Sequence, residues 1–290
     1  MTEIQIGRGK AARRAYELAE VAIVPSRRTR DAADVDLSWK IDAYRLGLPL
    51  LAAGLSASLL PAGAAAVGAR GAMGVVDLEL LWNEHQDEGR LKDQIAEVKS
   101  GGARCAASVS PKRAAELVEH AIAAEVDLLM IRARIISAEH VSSTSEPLNL
   151  KTFIRSLDVP VVVGGCASYN AALHLMRTGA AGVLVGVAER GLGIDVPLAT
   201  ALADARAARV RHLDETSVYC HIIAAGAIES GLDVAKALAI GADAALIDAP
   251  LLATPSGDDV ESVDQLLRRV MAKCGYTDVK AFQKAEVVVR

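Results

Sequence analysis

Residues 159–186 read VPVVVGGCASYNAALHLMRTGAAGVLVG. A β-branched run, Val159 to Val163, passes through a glycine pair into a helical stretch, Ser168 to Thr178. Gly179 stands where a helix end favours a left-handed residue, and a second apolar run, Gly182 to Gly186, closes the unit. Strand, helix and parallel strand make the building block of an α/β fold. Runs that are apolar at every position belong to strands covered on both faces.

The same unit repeats outward in both directions. Further apolar runs stand at Leu48–Ala53, Ala72–Val76, Arg104–Ser108, Asp127–Ile131, Tyr219–Ile223 and Asp243–Ile247. Helical stretches are expected at Pro61–Arg70, Leu80–Lys99, Pro111–Ala124, Leu150–Leu157, Pro197–Ala208, Gly231–Ile240 and Val263–Lys273. Eight strands, each followed by a helix, predict a single-domain (β/α)8 barrel of the usual size of about 250 residues. Residues 1–45 are expected to form an N-terminal extension packed on a barrel of residues 46–290. A doubly wound open sheet is the alternative, and it is disfavoured because no Gly-x-Gly-x-x-Gly follows the first strand.

Composition narrows the class. The chain has 290 residues, 52% of them hydrophobic and 23% charged, with a formal net charge of −4. High apolar content with low net charge excludes disorder, and the mild acidity gives no reason to expect nucleic acid or an anionic membrane as partner. No stretch approaches the ~20 apolar residues of a membrane helix, and the N-terminus has no apolar signal core, so a soluble, cytoplasmic protein is expected. The four cysteines, Cys105, Cys166, Cys220 and Cys274, are far apart with no Cys-x-x-Cys spacing, which argues against zinc or a disulfide framework. No metal site is expected.

Barrel chemistry sits at the C-terminal ends of the strands. Those positions here are residues 53–56, Val76-Asp77, 108–110, 132–134, Gly164-Gly165-Cys166, 187–193, 224–230 and Asp248-Ala249. They hold no histidine and no clustered carboxylates.

Several segments resemble the IMP dehydrogenase/GMP reductase family, most of all its actinobacterial IMP-dehydrogenase-related branch. They are Tyr16-Glu17-Leu18 through residues 23–30 (IVPSRRTR), residues 146–154 (EPLNLKTFI), 172–183 (ALHLMRTGAAGV), 213–216 (LDET) and 271–280 (MAKCGYTDVK). The similarity runs from about residue 5 to 284. It implies the same barrel, a purine nucleotide substrate, a nicotinamide cofactor NAD(P)(H) and a homo-oligomer, usually a tetramer. In that family a cysteine on the loop after the sixth strand attacks C2 of the purine, and the adduct exchanges hydride with NAD(P).

This chain departs from the pattern where the chemistry is done. The loop after strand six, residues 186–197, has no cysteine. The family's Asp-Gly-Gly-Ile after strand seven is Ala225-Gly226-Ala227-Ile228, so the ribose-binding Asp is missing. The phosphate-binding Gly-Ser after strand eight is Asp248-Ala249. An ionised Asp about 4 Å from a phosphate costs on the order of 4 kcal/mol per unit charge at an effective dielectric of 20. The segment Thr254–Gln265 is far shorter than the family's flap, no regulatory module interrupts Val75–Ala96, and the cofactor-side Asp after strand four aligns with Arg132.

Each candidate has two readings. Cys166, at the end of the fifth strand, is a relocated nucleophile or a small packing residue. Arg132 and Arg134 bind an anion, such as a cofactor phosphate, or form a solvated rim pair; Gly164 and Gly165 are the other cofactor-side candidates. Ser56, Gly186, Glu189, Arg190, Gly226 and Asp248 are the substrate-side candidates. Glu189 and Arg190 otherwise pair with each other or face solvent, and Asp248 accepts from a ribose or base donor or is a loop residue. His120, His140, His174 and His212 read as structural, and the Arg27–Arg30 cluster as a surface or oligomer contact. Two functions compete: an NAD(P)-dependent oxidoreductase for a purine or modified purine, and a catalytically silent relative that binds a purine or regulates a related subunit.

Overall fold

A computed structural model describes residues 3–55, 58–139, 147–186, 188–189, 192–226, 228–253 and 261–290. Eight parallel strands close into a barrel in sequence order: β1 (Leu50–Ala53), β2 (Met73–Asp77), β3 (Cys105–Val109), β4 (Leu128–Arg132), β5 (Val161–Cys166), β6 (Gly182–Val185), β7 (His221–Ala224) and β8 (Ala244–Asp248). The chain is thus a (β/α)8 barrel. At least one helix follows each strand.

Alternation along the strands divides the core in two. Leu51, Met73, Val75, Ala106, Leu128, Met130, Val162, Leu184, Ile223 and Leu246 fill the barrel, while their neighbours in sequence pack outward against the helices. Both faces are covered, which is why the strands read as continuous apolar runs. At Gly74 a side chain would stand 2.7 Å from Ala64 O, so the first helix, Pro61–Ala69, lies on β2 at glycine distance.

Three local features differ from expectation. The stretch Leu80–Lys99 is two helices, Leu78–His85 and Glu88–Val98, because Gln86 turns left-handed (φ 49°) and Asp87 caps the second by accepting from Arg90 N–H at 2.7 Å. The helix expected to stop at Ala208 runs to Thr216. Before β1, a hairpin of Trp39–Ile41 and Tyr44–Leu46 pushes Trp39, Ile41 and Leu46 into the inner layer and plugs the N-terminal end of the barrel. Val287–Val289 pairs with Val21–Ile23 as a separate ribbon. Among the described residues no helix is long and apolar enough to cross a membrane.

Candidate active site at the barrel mouth

The inward positions at the strand ends follow from the alternation. On β4, Leu128 and Met130 point inward and Leu129 and Ile131 outward, so Arg132 rises from the inner face at the C-terminal rim. By the same count Asp77 stands above Val75 on β2, Asp248 above Leu246 on β8, and Gly164 above Val162 on β5.

Asp77 and Arg132 share a cleft of about 260 Å³, closed on its other sides by Leu55, Ser58, Leu59 and Leu80. They do not pair. Asp77 is the N-cap of the helix Leu78–His85: its Oδ1 accepts from the N–H groups of Glu79 (3.0 Å) and Leu80 (3.2 Å). Arg132 is half-buried and, among the described residues, has no hydrogen-bond or ion-pair partner. A fixed carboxylate and an unmatched guanidinium therefore face one small space. Asp77 stands among the strand-end positions read from the sequence but not among the named substrate- or cofactor-side candidates, although an Asp at a strand end directly before a helix is a capping signal.

Asp248 is also held: its Oδ1 accepts from Leu55 N–H at 3.0 Å, tying the loop after β1 to the end of β8. Gly164 and Gly186 are required by close strand approach. A side chain at Gly164 would stand 2.5 Å from Leu184 O, and one at Gly186 (φ +140°) 1.9 Å from Ala225 O. The amide of Gly165 is spent on the neighbouring loop: its N–H donates to Ala133 O at 2.8 Å, and its carbonyl accepts from Ile136 N–H at 3.1 Å. It is not a free phosphate donor. Gly226 (φ +101°) is open, with nothing within 4 Å of where a side chain would begin. Arg134 is exposed on the rim. Glu189 lies in a two-residue ribbon, Ala188–Glu189 paired with Ile194–Asp195. Ser56, Arg190, His140 and residues 254–260 fall outside the described residues.

The structure places Cys166 away from the cleft. The pairing of β5 with β6 shifts register between Gly164 and Cys166, so the thiol joins the outer layer with Val161 and Val163. It is buried, its Sγ lies 3.4 Å from Leu184 O, and burial pushes its pKa up to about 12. The other thiols fare alike: burial, with Asp127 adding to it, raises Cys105 to about 12, and burial raises Cys220 and Cys274. All four thiols are held protonated at neutral pH.

Other polar candidates have structural partners. His120 stacks on Trp82 at 3.9 Å and meets Glu88 at 2.6 Å, while Arg27 lies over the Tyr276 ring at 4.3 Å. Among the described residues no group of three or more His, Cys, Asp or Glu side chains could hold a metal ion. A larger hollow, about 710 Å³, opens at the opposite end of the barrel beside Tyr219, His221, Asp243 and Lys280. Size alone would favour it, but loops at the C-terminal face carry the chemistry of such barrels, so the mouth cleft is the candidate active site.

Residues 15–283 match the family model described as the IMP dehydrogenase / GMP reductase domain. An uncharacterized oxidoreductase of Mycolicibacterium smegmatis is 40% identical, with 99% of each chain covered. That alignment spans 372 positions, 82 more than this chain has residues, so the relative carries internal segments that are missing here. An inosine-5′-monophosphate dehydrogenase of Methanocaldococcus jannaschii is 30% identical over 57% of this chain and 33% of its own length. The crystal structure of an IMP dehydrogenase/GMP reductase-like protein from Corynebacterium glutamicum superimposes with a TM-score of 0.88 at 36% identity, covering 99% of this chain and 98% of that one.

Proposed function

Because the chain belongs to the IMP dehydrogenase/GMP reductase family, we propose that it is a diverged oxidoreductase that uses NAD(P)(H) on a purine or modified purine nucleoside or nucleotide at the barrel mouth. The observation that carries this reading is Arg132, a guanidinium with no partner among the described residues, inside a cleft whose carboxylate is already fixed. A half-buried cation without a partner is a ready receptor for an anionic group, and guanidinium geometry suits phosphate or carboxylate.

The residues fit such a cofactor in part. Arg132 and Arg134 would meet its phosphates, whereas Gly165 has no free amide to offer. When bound, the dinucleotide supplies the site that gives or takes a hydride. Asp77, with Oδ1 held by two amides, presents its second oxygen to a hydroxyl or amino group of the ligand. Asp248 sets a negative charge at the β8 rim, which supports a ligand bearing hydroxyls rather than phosphate on that side. With every thiol buried and protonated, the reading is of hydride delivery to the purine ring, which needs no cysteine adduct, with a proton taken up at a ring nitrogen; the reverse, oxidative direction would need water in place of the thiol as the nucleophile that first adds to the ring carbon. A homo-tetramer, or association with a related subunit, is the proposed assembly.

A catalytically silent, purine-binding or regulatory member of the family is the second reading. The protonated thiols and the missing internal segments favour it. A thermal-shift screen with IMP, GMP, inosine, guanosine, NAD(H) and NADP(H), followed by turnover assays on the ligands that bind, separates the two. A ligand at 100 times its Kd stabilises by about 2.7 kcal/mol, which moves the midpoint by a few degrees in a domain of this size. The oxidoreductase reading expects a shift from both a purine and a dinucleotide, with turnover. A purine shift without turnover leaves the silent reading, and no shift from either ligand class sinks the oxidoreductase.

A further inference from the structure

In the outer helical layer, a groove of about 460 Å³ lies between the helices Gly231–Ile240 and Val263–Lys273 and the ribbon strand Val21–Ile23. Its walls are apolar: Ile23, Leu232, Leu266 and Val270. Four cations also line it, Lys236, Arg269, Lys273 and Arg290, and no Asp or Glu does.

Lys236 is the telling residue. Only 7% of it is exposed, and its Nζ donates to Leu18 O at 2.8 Å. Among the described residues it has no ion pair, although a buried ammonium is ordinarily matched by a carboxylate. The carboxylates on the flanking segments are already engaged, one of them on a cation of the groove itself. Asp233 accepts from Ser230 Oγ and Glu229 N–H, Asp264 meets Arg70 and Ser262, and Glu261 pairs with Arg269 at 2.5 Å. With Arg269 matched by Glu261, the groove combines an apolar floor with positive charge left on Lys236 and Lys273, the first of which is already desolvated.

We propose that this groove is a second ligand site, and that it takes a small anionic amphiphile. The apolar body would lie along Leu232, Leu266 and Val270, and the carboxylate or phosphate head would meet Lys236 and Lys273. The volume falls in the range of small-molecule pockets, about 300–1,000 Å³. A protein partner would need a contact of about 800 Å² on this side, far more than such a pocket offers.

Titration calorimetry of the full chain with decanoate, decan-1-ol and acetate, below micelle-forming concentrations, tests this. Decanoate is expected to bind saturably and at least tenfold more tightly than decanol or acetate, because head and body both contribute. Lys236→Met should weaken decanoate at least tenfold and leave decanol unchanged. Should that variant not fold, Lys273→Glu, on the exposed rim, should weaken decanoate in the same sense. Equal binding of decanoate and decanol, no saturable binding, or self-association that covers the groove and excludes decanoate would each overturn the proposal. So would undiminished decanoate binding in a folded variant.

Discussion

The two ends of the barrel treat a buried charge in opposite ways. At the plugged end, Asp243 sits just before β8 with four donors on its two oxygens. Tyr219 Oη (2.6 Å) and Gln283 Nε2 (2.8 Å) donate to Oδ1, and Arg209 (2.6 Å) and Ile222 N–H (2.8 Å) donate to Oδ2. Lys280 extends the chain by donating to Tyr219 Oη at 2.6 Å. At the mouth, Arg132 has no partner among the described residues, and Asp77 is held through one oxygen. A saturated charge welds loops together and has nothing left for a ligand. An unmatched one is available for binding and adds little to the fold.

The sharpest way to break this contrast is at its saturated end. Asp243→Ala leaves Arg209 buried without its carboxylate, and should cost about 3–5 kcal/mol in urea unfolding. A loss below 1 kcal/mol would mean that the network holds nothing together. Gly186→Ala comes next: a Cβ 1.9 Å from Ala225 O, at φ +140°, should destabilise by about 1–3 kcal/mol, read from the shift in denaturation midpoint. At the open end, Asp77→Ala removes only a helix cap and should cost about 1 kcal/mol. Smallest of all, Arg132→Ala should leave unfolding within about 0.5 kcal/mol of the parent while lowering affinity for an anionic purine ligand at least tenfold. If stability falls and affinity holds, the roles given to the two ends are reversed.

Acidity sharpens the contrast further. Burial holds the imidazole of His221 below its ordinary pKa, against the opposing pull of Asp243. The unfolded chain then binds a proton that the native state refuses. Stability is therefore full above the ordinary histidine value of about 6.5 and is lost as pH falls from there toward the depressed native value. His221→Gln should flatten the fall in melting temperature between neutral and mildly acidic pH. An unchanged slope would assign it to other groups, His212 first, since burial lowers that residue as well.

Much of the barrel was legible because a strand covered on both faces leaves an unbroken apolar run, and Val161–Val163 or Ala244–Ile247 can hardly be read otherwise. The hairpin Trp39–Leu46 was not legible, since each of its strands has three residues and its partner surface is the barrel interior itself. At the mouth, Arg132 could be placed by counting alternate residues along β4. The same count misplaces Cys166: from Val162 it predicts an inward thiol, and the register shift after Gly164 turns it outward. The Asp243 network was out of reach, because its partners come from residues 209, 219, 222 and 283 and meet only once the barrel closes.

The plug has a consequence for traffic. With Trp39, Ile41 and Leu46 wedged into the inner layer, the described residues leave no opening through the barrel axis at that end. Whatever enters between Asp77 and Arg132 leaves by the same opening, so a departing product and an arriving substrate contend for a single doorway. If the proposed oxidoreductase reading holds, product inhibition follows from that geometry, with turnover at high product concentration governed by how quickly the doorway clears.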